Sequence, residues 1–137
     1  MARGEDVEPF TVLLIDDRDY ALPQVEAAIP AGKRGSCVVR HLPSFALYRA
    51  EGRPNAKVVL LDYYLDLDPT LGELVAAEVR AEHLIGFSSE AACSRAIVEA
   101  ALRARGESAR PRLHAVRKLP GVERNRELDA LFARILG

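Results

Sequence analysis

Residues 11–17 read TVLLIDD, a nearly continuous run of apolar side chains that ends in two carboxylates, Asp16 and Asp17. The run shows no alternation of apolar and polar residues, so both faces of the segment are expected to be buried. Strands of this kind are typical of parallel sheets that carry helices on both faces. The segment therefore predicts a buried strand of an α/β sheet, with the two carboxylates at its carboxyl end.

Four further apolar runs have the same character, and segments with the period of a helix separate them. The predicted strands are residues 11–15, 37–40, 57–61, 83–87 and 113–117. The predicted helices are residues 20–29, 44–50, 73–82, 89 or 90 to 106, and 125–136. Right-handed crossovers between parallel strands allow the strand order 2-1-3-4-5. We therefore predict an α/β, flavodoxin-like, doubly wound sheet of five parallel strands with helices on both faces.

Composition limits the possible classes of protein. The 137 residues, 49% of them hydrophobic, suit one domain, predicted over residues 11–137 after an N-terminal extension at residues 1–10. The formal net charge of -1 gives no electrostatic basis for direct nucleic-acid binding. No apolar stretch approaches the roughly eighteen residues of a membrane span. The two cysteines have no zinc or disulfide spacing, so a reduced, cytoplasmic setting is expected.

Polar side chains follow four of the predicted strands directly. Asp62 comes after VVLL, Ser88 after LIGF and Lys118 after HAVR, in addition to Asp16 and Asp17. The carboxyl ends of parallel strands share one edge of the sheet, where ligands bind near the switch point. Carboxylates gathered there repel one another unless a cation lies between them, and Mg2+ prefers oxygen ligands. The sequence thus predicts a site for Mg2+ and a phosphoryl group.

The motifs VLLIDD, VVLLD, LIGFSSE and VRK, in this order, resemble the receiver domain of bacterial two-component response regulators over essentially the whole chain. The resemblance implies that Asp62 is phosphorylated by a histidine kinase or a phosphotransfer protein. It also implies that Mg2+ is held by Asp17, Asp62 and the backbone carbonyl of Tyr64, and by Asp16 either directly or through a water molecule. These assignments come from the family and are expectations for this chain.

The resemblance assigns roles to two further residues and to the partners. Lys118 is expected to contact the phosphoryl oxygens, and Ser88 is expected to be the switch hydroxyl that binds them and draws the next loop inward. No output domain is predicted, so signalling is expected through a separate effector protein, or through a homodimer formed by the face from the fourth helix to the last helix. Neither nucleic acid nor a membrane is an expected partner.

Several features depart from the receiver pattern. Ala115 stands at the switch position where the family usually has an aromatic residue. Leu119 separates Lys118 from Pro120, whereas a proline usually follows the lysine directly. The loop after Asp62 is longer and more acidic than usual. The aromatic relay and the backbone geometry that aims Lys118 are therefore expected to differ from those of the family.

Two other functions fit parts of the sequence. The chain could be a receiver-like adaptor that binds partners without phosphorylation, which the altered lysine loop and Ala115 favour. Residues 66–71, DLDPTL, resemble the first motif of haloacid-dehalogenase-type phosphatases, with Asp66 and Asp68 as the catalytic carboxylates. Against the phosphatase, that family places this motif on its first strand and usually has a cap domain, for which the chain is too short.

Simpler roles for single residues remain open from the sequence alone. Asp17 or Asp19 could cap the helix that follows the first strand. Ser88 or Ser89 could cap the fourth helix, and Lys118 could be a solvated loop residue. The three histidines have no metal-like spacing and are expected in structural or surface roles.

Overall fold

The computed structural model describes residues 9–65, 71–105 and 111–137. The strands in these ranges are β1 (Phe10–Ile15), β2 (Cys37–Leu42), β3 (Ala56–Leu61), β4 (Ala81–Ser88) and β5 (Arg112–Arg117). All neighbouring strands are parallel, and the order across the sheet is β2-β1-β3-β4-β5. The predicted flavodoxin-like α/β architecture is confirmed.

Helices connect the strands within the described ranges. They are α1 (Leu22–Ala28), α2 (Phe45–Ala50), α3 (Leu71–Val75), α4 (Ala91–Arg105) and α5 (Arg126–Leu136), with 3-10 turns at Ala31–Ser36 and Ala76–Glu78. The predicted cap of α2 is confirmed, because the Leu47 N–H donates to Ser44 Oγ at 3.1 Å. No helix in the described residues is long and apolar enough to cross a lipid bilayer.

The central strands are buried on both faces. Val12 and Leu14 of β1 pack in one apolar cluster with side chains from α1 and α5. Leu13 and Ile15, the alternate residues of β1, pack in a second cluster with side chains from α2 and α4. This two-sided burial explains why the β1 sequence has no polar alternation. The packed layers support the residues that follow the strands.

The predicted helix at residues 73–82 is wrong in its extent. The helix α3 ends at Val75, and strand β4 begins at Ala81 after a short 3-10 turn. The Arg105 guanidinium donates to the Val79 carbonyl at 2.5 Å and to two carbonyls of that turn. A longer helix would need such carbonyls for its own hydrogen bonds. These tertiary contacts override the helix propensity of the alanines in this segment.

The interpretation of Asp17 or Asp19 as a cap of α1 is also wrong. The N-cap position of α1 is Ala21, and no side chain makes a capping hydrogen bond there. The Leu22 N–H donates instead to the backbone carbonyl of Asp19 at 3.0 Å. The Asp17 carboxylate is therefore not used to start the helix.

Candidate functional site

The strand register brings the polar residues predicted from the sequence to one edge of the sheet. β1 and β3 pair up to their last residues, so that Asp16 and Asp62 follow side by side. The Asp62 N–H donates to the Ile15 carbonyl at 3.0 Å, which continues this pairing by one residue. The Lys118 N–H likewise donates to the Ser88 carbonyl at 2.7 Å. Four strands thus contribute to a single site.

Three carboxylates form the centre of the site. One oxygen from each of Asp16, Asp17 and Asp62 lies within 4.8 Å of the other two. Asp16 is fully buried and Asp62 is 4% exposed, whereas Asp17 is closer to solvent. In the part of the chain that the structure describes, no other three potential metal ligands come this close together. The acidic cluster predicted from the strand ends is therefore present.

Lys118 is the counter-ion of this cluster. Its Nζ lies 2.5 Å from Asp16 Oδ2 and 3.3 Å from Asp62 Oδ1, and the residue is 3% exposed. The same Nζ lies 5.1 Å from the centre of the Tyr20 ring, within the range of a cation–π interaction. The interpretation of Lys118 as a solvated loop residue is therefore wrong. This one ammonium contacts two of the three carboxylates, so the cluster has excess negative charge when all three are ionised.

Burial controls the protonation of these groups. Loss of solvation raises the pKa of Asp62 from 3.8 to about 6; the Asp16 carboxylate adds to this effect, and Lys118 opposes it. Burial likewise raises the pKa of Asp16 against the attraction of Lys118. For Lys118 itself, burial lowers the pKa, but its two carboxylate partners outweigh burial and raise the pKa overall. Lys118 is therefore charged at neutral pH, and Asp62 is mostly ionised there but holds its proton to higher pH than an exposed carboxyl group does.

The arrangement fits a metal ion with oxygen ligands. Carboxylates are the preferred ligands of hard divalent cations, and a cation among them would offset their excess charge. A pocket of about 350 Å3 adjoins the cluster, with room for water molecules and further ligands. It is lined by Asp17, Arg18, Tyr20, Asp62, Tyr64, Ser89 and Lys118. Asp16, Asp17 and Asp62 could therefore hold a metal ion.

Ser88 lies at the end of β4 with its side chain fully buried. Its hydroxyl has no hydrogen-bond partner among the described residues, so it does not cap α4. The peptide N–H of Ser88 donates to Ser94 Oγ in α4 at 2.8 Å, and the Ser94 hydroxyl lies 2.9 Å from the Val116 carbonyl. A buried hydroxyl without a partner costs free energy. Such a group fits a role that begins when a ligand supplies the missing partner.

Other predicted site residues have a less direct connection to the cluster. Tyr64 lies two residues after Asp62, lines the pocket and is 41% exposed. Ala115 lies in β5 and is exposed. Two assignments stay predictions: the Tyr64 carbonyl as a metal ligand, and Ala115 at the switch position. Asp66 and Asp68 lie outside the described residues.

Three residues that contact or line the site were not identified from the sequence. His41 Nε2 lies 2.6 Å from the Asp16 carbonyl oxygen. Because a carbonyl oxygen can only accept a hydrogen bond, Nε2 carries the hydrogen. The Arg18 N–H donates to Asp16 Oδ1 at 3.0 Å. Tyr20 lies under the Lys118 ammonium. Arg18 and Tyr20 lie within three residues of the acidic pair in the sequence, which was a usable signal, whereas the sequence around His41 gave none.

A second polar pair lies away from the acidic cluster, on β4 and β5. His83 Nδ1 is 3.0 Å from His114 Nε2, and the ring centres are 5.2 Å apart. Burial lowers the pKa of His114 to about 4, so this ring is neutral at physiological pH. Within the described ranges no third metal ligand approaches the pair. This geometry agrees with the structural role expected for both histidines.

No family model, curated protein or solved structure matches the chain. The class of this protein is therefore described from its fold and its site alone. That class is a flavodoxin-like α/β domain with a buried carboxylate cluster and a lysine at the carboxyl edge of its sheet.

Proposed function

We propose that the chain is a single-domain response regulator receiver that accepts a phosphoryl group on Asp62 and signals through protein contacts. The observation that carries the proposal is the position of Asp62, which pairs with Lys118 and lies within 4.8 Å of the Asp16 and Asp17 oxygens. A histidine kinase or a phosphotransfer protein is the proposed donor, and a separate effector protein or a second copy of the chain is the target. The proposed compartment is the cytoplasm.

In the proposed reaction, a carboxylate oxygen of Asp62 attacks the phosphorus of a phosphohistidine or an acyl phosphate. The new oxygen–phosphorus bond forms as the bond to the leaving group breaks, and the leaving group takes the electron pair. Asp16, Asp17, Asp62 and the Tyr64 carbonyl would hold Mg2+. When bound, this ion supplies charge neutralisation between the carboxylate and the phosphoryl oxygens. The excess negative charge of the cluster supports this assignment.

Lys118 and Ser88 are proposed to bind the phosphoryl group after transfer. Lys118 Nζ lies 3.3 Å from Asp62 Oδ1, so phosphoryl oxygens on Asp62 come within its reach. The Ser88 hydroxyl, which is buried without a partner, can donate to one of these oxygens. Because the Ser88 peptide is bonded to Ser94, a movement of Ser88 also acts on α4. This coupling would convert phosphorylation into a change at the surface.

Intact mass spectrometry after incubation with Mg2+ and acetyl phosphate tests the proposal. We expect an acid-labile gain of one phosphoryl group in the wild type and no gain in Asp62→Asn. Asp19→Asn is the matched control, because it removes an exposed carboxylate from the neighbouring loop. A wild-type chain that binds Mg2+ and gains no phosphoryl group would contradict the proposal.

A receiver-like adaptor that does not use phosphorylation is the second candidate. Two features favour it: Leu119 separates Lys118 from Pro120, and Ala115 offers no aromatic side chain for a switch. The same experiment separates the two candidates. Absence of both a mass gain and Mg2+ binding by titration supports the adaptor, with the surface from α4 to α5 as its binding face.

The phosphatase interpretation rests on Asp66 and Asp68 and has no support from the described residues. Hydrolysis of a chromogenic phosphate ester tests it directly. Activity that is lost in Asp66→Asn and kept in Asp62→Asn would support a phosphatase; the receiver proposal expects no such activity.

A further inference from the structure

Two buried amide side chains lie beside the loop that follows β5. Gln24 in α1 is fully buried, and Asn125 at the N-cap of α5 is 1% exposed. Asn125 Nδ2 lies 3.3 Å from Gln24 Oε1, which joins the two side chains across 101 positions of sequence. Gln24 is the only glutamine in the chain. Burial of an amide costs free energy unless its polar groups form hydrogen bonds, so the stability of this pair depends on its hydrogen-bond partners.

Each NH2 group of the pair faces two acceptors. Gln24 Nε2 donates to the carbonyls of Leu119 and Val122, the second at 3.2 Å. Asn125 Nδ2 donates to the Arg117 carbonyl at 2.8 Å as well as to Gln24 Oε1. Because a carbonyl oxygen can only accept, these bonds fix the orientation of both amides. The network is complete and therefore well defined.

These bonds hold the backbone on both sides of Lys118. Asn125 binds the carbonyl of the preceding residue, Arg117, and Gln24 binds the carbonyl of the following residue, Leu119. The N–H of Lys118 itself donates to a β4 carbonyl at 2.7 Å. Hydrogen bonds thus restrain the backbone of three successive residues, 117–119. The Lys118 side chain therefore extends toward the acidic cluster from a restrained backbone position.

We infer that Gln24 and Asn125 are positioning residues that aim Lys118 at the phosphoryl group. The inference rests on the proposed function for the identity of the ligand. In this chain Leu119 separates Lys118 from Pro120, so no proline directly after the lysine restrains the backbone. The amide pair supplies the restraint from two helices, α1 and α5. The packing of α1 against α5 therefore affects the position of the Lys118 ammonium.

Capping of α5 alone does not account for the pair. The Leu128 N–H donates to Asn125 Oδ1 at 3.2 Å, and this bond is the cap. The Nδ2 group of Asn125 takes no part in capping, because it bonds to Arg117 and Gln24. The substitution Asn125→Asp keeps an oxygen for Leu128 and removes the donor. It therefore separates the positioning role from the capping role.

Chemical labelling of the lysines tests the inference without phosphorylation. The chain has three lysines, Lys33, Lys57 and Lys118. Brief treatment with acetic anhydride followed by peptide mass spectrometry gives a rate of acetylation for each. Lys118 is 3% exposed and is expected to react much more slowly than the partly exposed Lys33 and Lys57. The latter two serve as internal references.

Gln24→Met and Asn125→Asp are each expected to raise the acetylation rate of Lys118 by about fivefold, because lost hydrogen bonds increase local opening of the loop. The rates of Lys33 and Lys57 should not change. Asn55→Asp is the matched control, since Asn55 is exposed and precedes β3 at the opposite edge of the sheet. Gln24→Glu keeps the acceptor for Asn125 and serves if Gln24→Met does not fold.

A second readout links the pair to Lys118 in phosphoryl transfer. Gln24→Met is expected to slow phosphorylation by acetyl phosphate by about tenfold, as misplacement of a reacting partner does. In the Lys118→Met background the same substitution is expected to cause no further slowing, because the group that it positions is absent.

The possible results separate the inference from the proposed function. Unchanged labelling of Lys118 in both the Gln24 and the Asn125 variants overturns the inference, even if the wild type is phosphorylated. Equal slowing by Gln24→Met in the presence and absence of Lys118 also overturns it. Faster labelling in a chain that takes up no phosphoryl group leaves the positioning of Lys118 intact and refutes the receiver proposal.

Discussion

Two ionic clusters in the molecule have opposite surroundings. The buried cluster pairs Lys118 with Asp16 and Asp62, and none of these side chains is more than 6% exposed. The surface cluster lies between α2 and the 3-10 turn before β4, and its side chains are 27% to 49% exposed. It consists of Glu78, Arg49 and Arg53.

The carboxylates of the two clusters respond in opposite directions. Hydrogen bonds from Arg49, with a further contribution from Arg53, lower the pKa of Glu78 despite some burial. Burial raises the pKa of Asp62 to about 6, because Lys118 does not offset the loss of water. The Glu78 carboxylate of the surface cluster is compensated by two arginines, whereas the buried cluster is held at a cost in free energy. Buried charges that lower stability are expected at functional sites, where they serve chemistry.

Removal of Lys118 should have the largest effect on the buried cluster. Lys118→Ala leaves two buried carboxylates without a counter-ion, so we expect a loss of about 3–5 kcal/mol in the free energy of unfolding. Urea unfolding in the presence of a chelator measures the loss, and Lys33→Ala is the control. Saturating Mg2+ should restore part of it. A loss below about 1 kcal/mol, as for surface pairs, would remove the distinction between the clusters.

Asp62 should give the buried cluster its pH dependence. Because its pKa rises from 3.8 to about 6 on folding, its contribution favours the folded state at low pH and is lost as pH rises through this window. The shift corresponds to about 3 kcal/mol. Between about pH 4 and pH 7, metal-free wild type should therefore lose about 2–3 kcal/mol relative to Asp62→Asn. Parallel stability profiles for the two proteins would disprove this assignment.

The two buried serines provide a smaller, matched comparison. Ser94→Ala removes a hydroxyl bonded to the Ser88 N–H and the Val116 carbonyl, so we expect a loss of about 1–3 kcal/mol. Ser88→Ala removes a hydroxyl without a partner and should leave the stability close to that of wild type. Thermal or urea unfolding distinguishes them. Equal losses would show that the Ser88 hydroxyl forms a hydrogen bond in the folded protein.

The surface cluster should contribute least. Glu78→Gln is expected to cost less than about 1 kcal/mol, and added salt should reduce the difference further. The sign of its pH dependence is opposite to that of Asp62: with a lowered pKa, Glu78 stabilises above its ordinary value of 4.5, and this contribution is lost as pH falls. Glu51→Gln, which removes a single pair with Arg40, is the control. A salt-independent loss of several kcal/mol would contradict the comparison.

The sequence predicts the sheet well because doubly buried strands leave a direct signal. The TVLLI run differs by one residue from β1, and the observed β2 and β4 extend beyond their predicted ends by two or three residues at most. The helix predicted at residues 73–82 fails for a different reason. Its length depends on Arg105, which binds carbonyls of this segment from more than twenty positions away. Local periodicity contains no information about such a contact.

The site is predictable to the same degree. Asp16, Asp62 and Lys118 follow strands directly and Ser88 ends one, so strand order is enough to bring them together. The partners of these residues are not predictable in this way. Gln24, for example, contacts backbone carbonyls 95 and 98 positions later, and such contacts depend on how α1 and α5 pack.

The bond between Lys118 and Asp16 joins residues 102 positions apart. During synthesis, Asp16 and Asp62, which follow β1 and β3, leave the ribosome long before Lys118 does. A nascent chain that lacks β5 must therefore keep these strand ends hydrated, which opposes early closure of the central strands. The Lys118 ammonium reaches Asp16 and Asp62 only when β5 lies beside β4, so compensation of their charge requires the complete sheet.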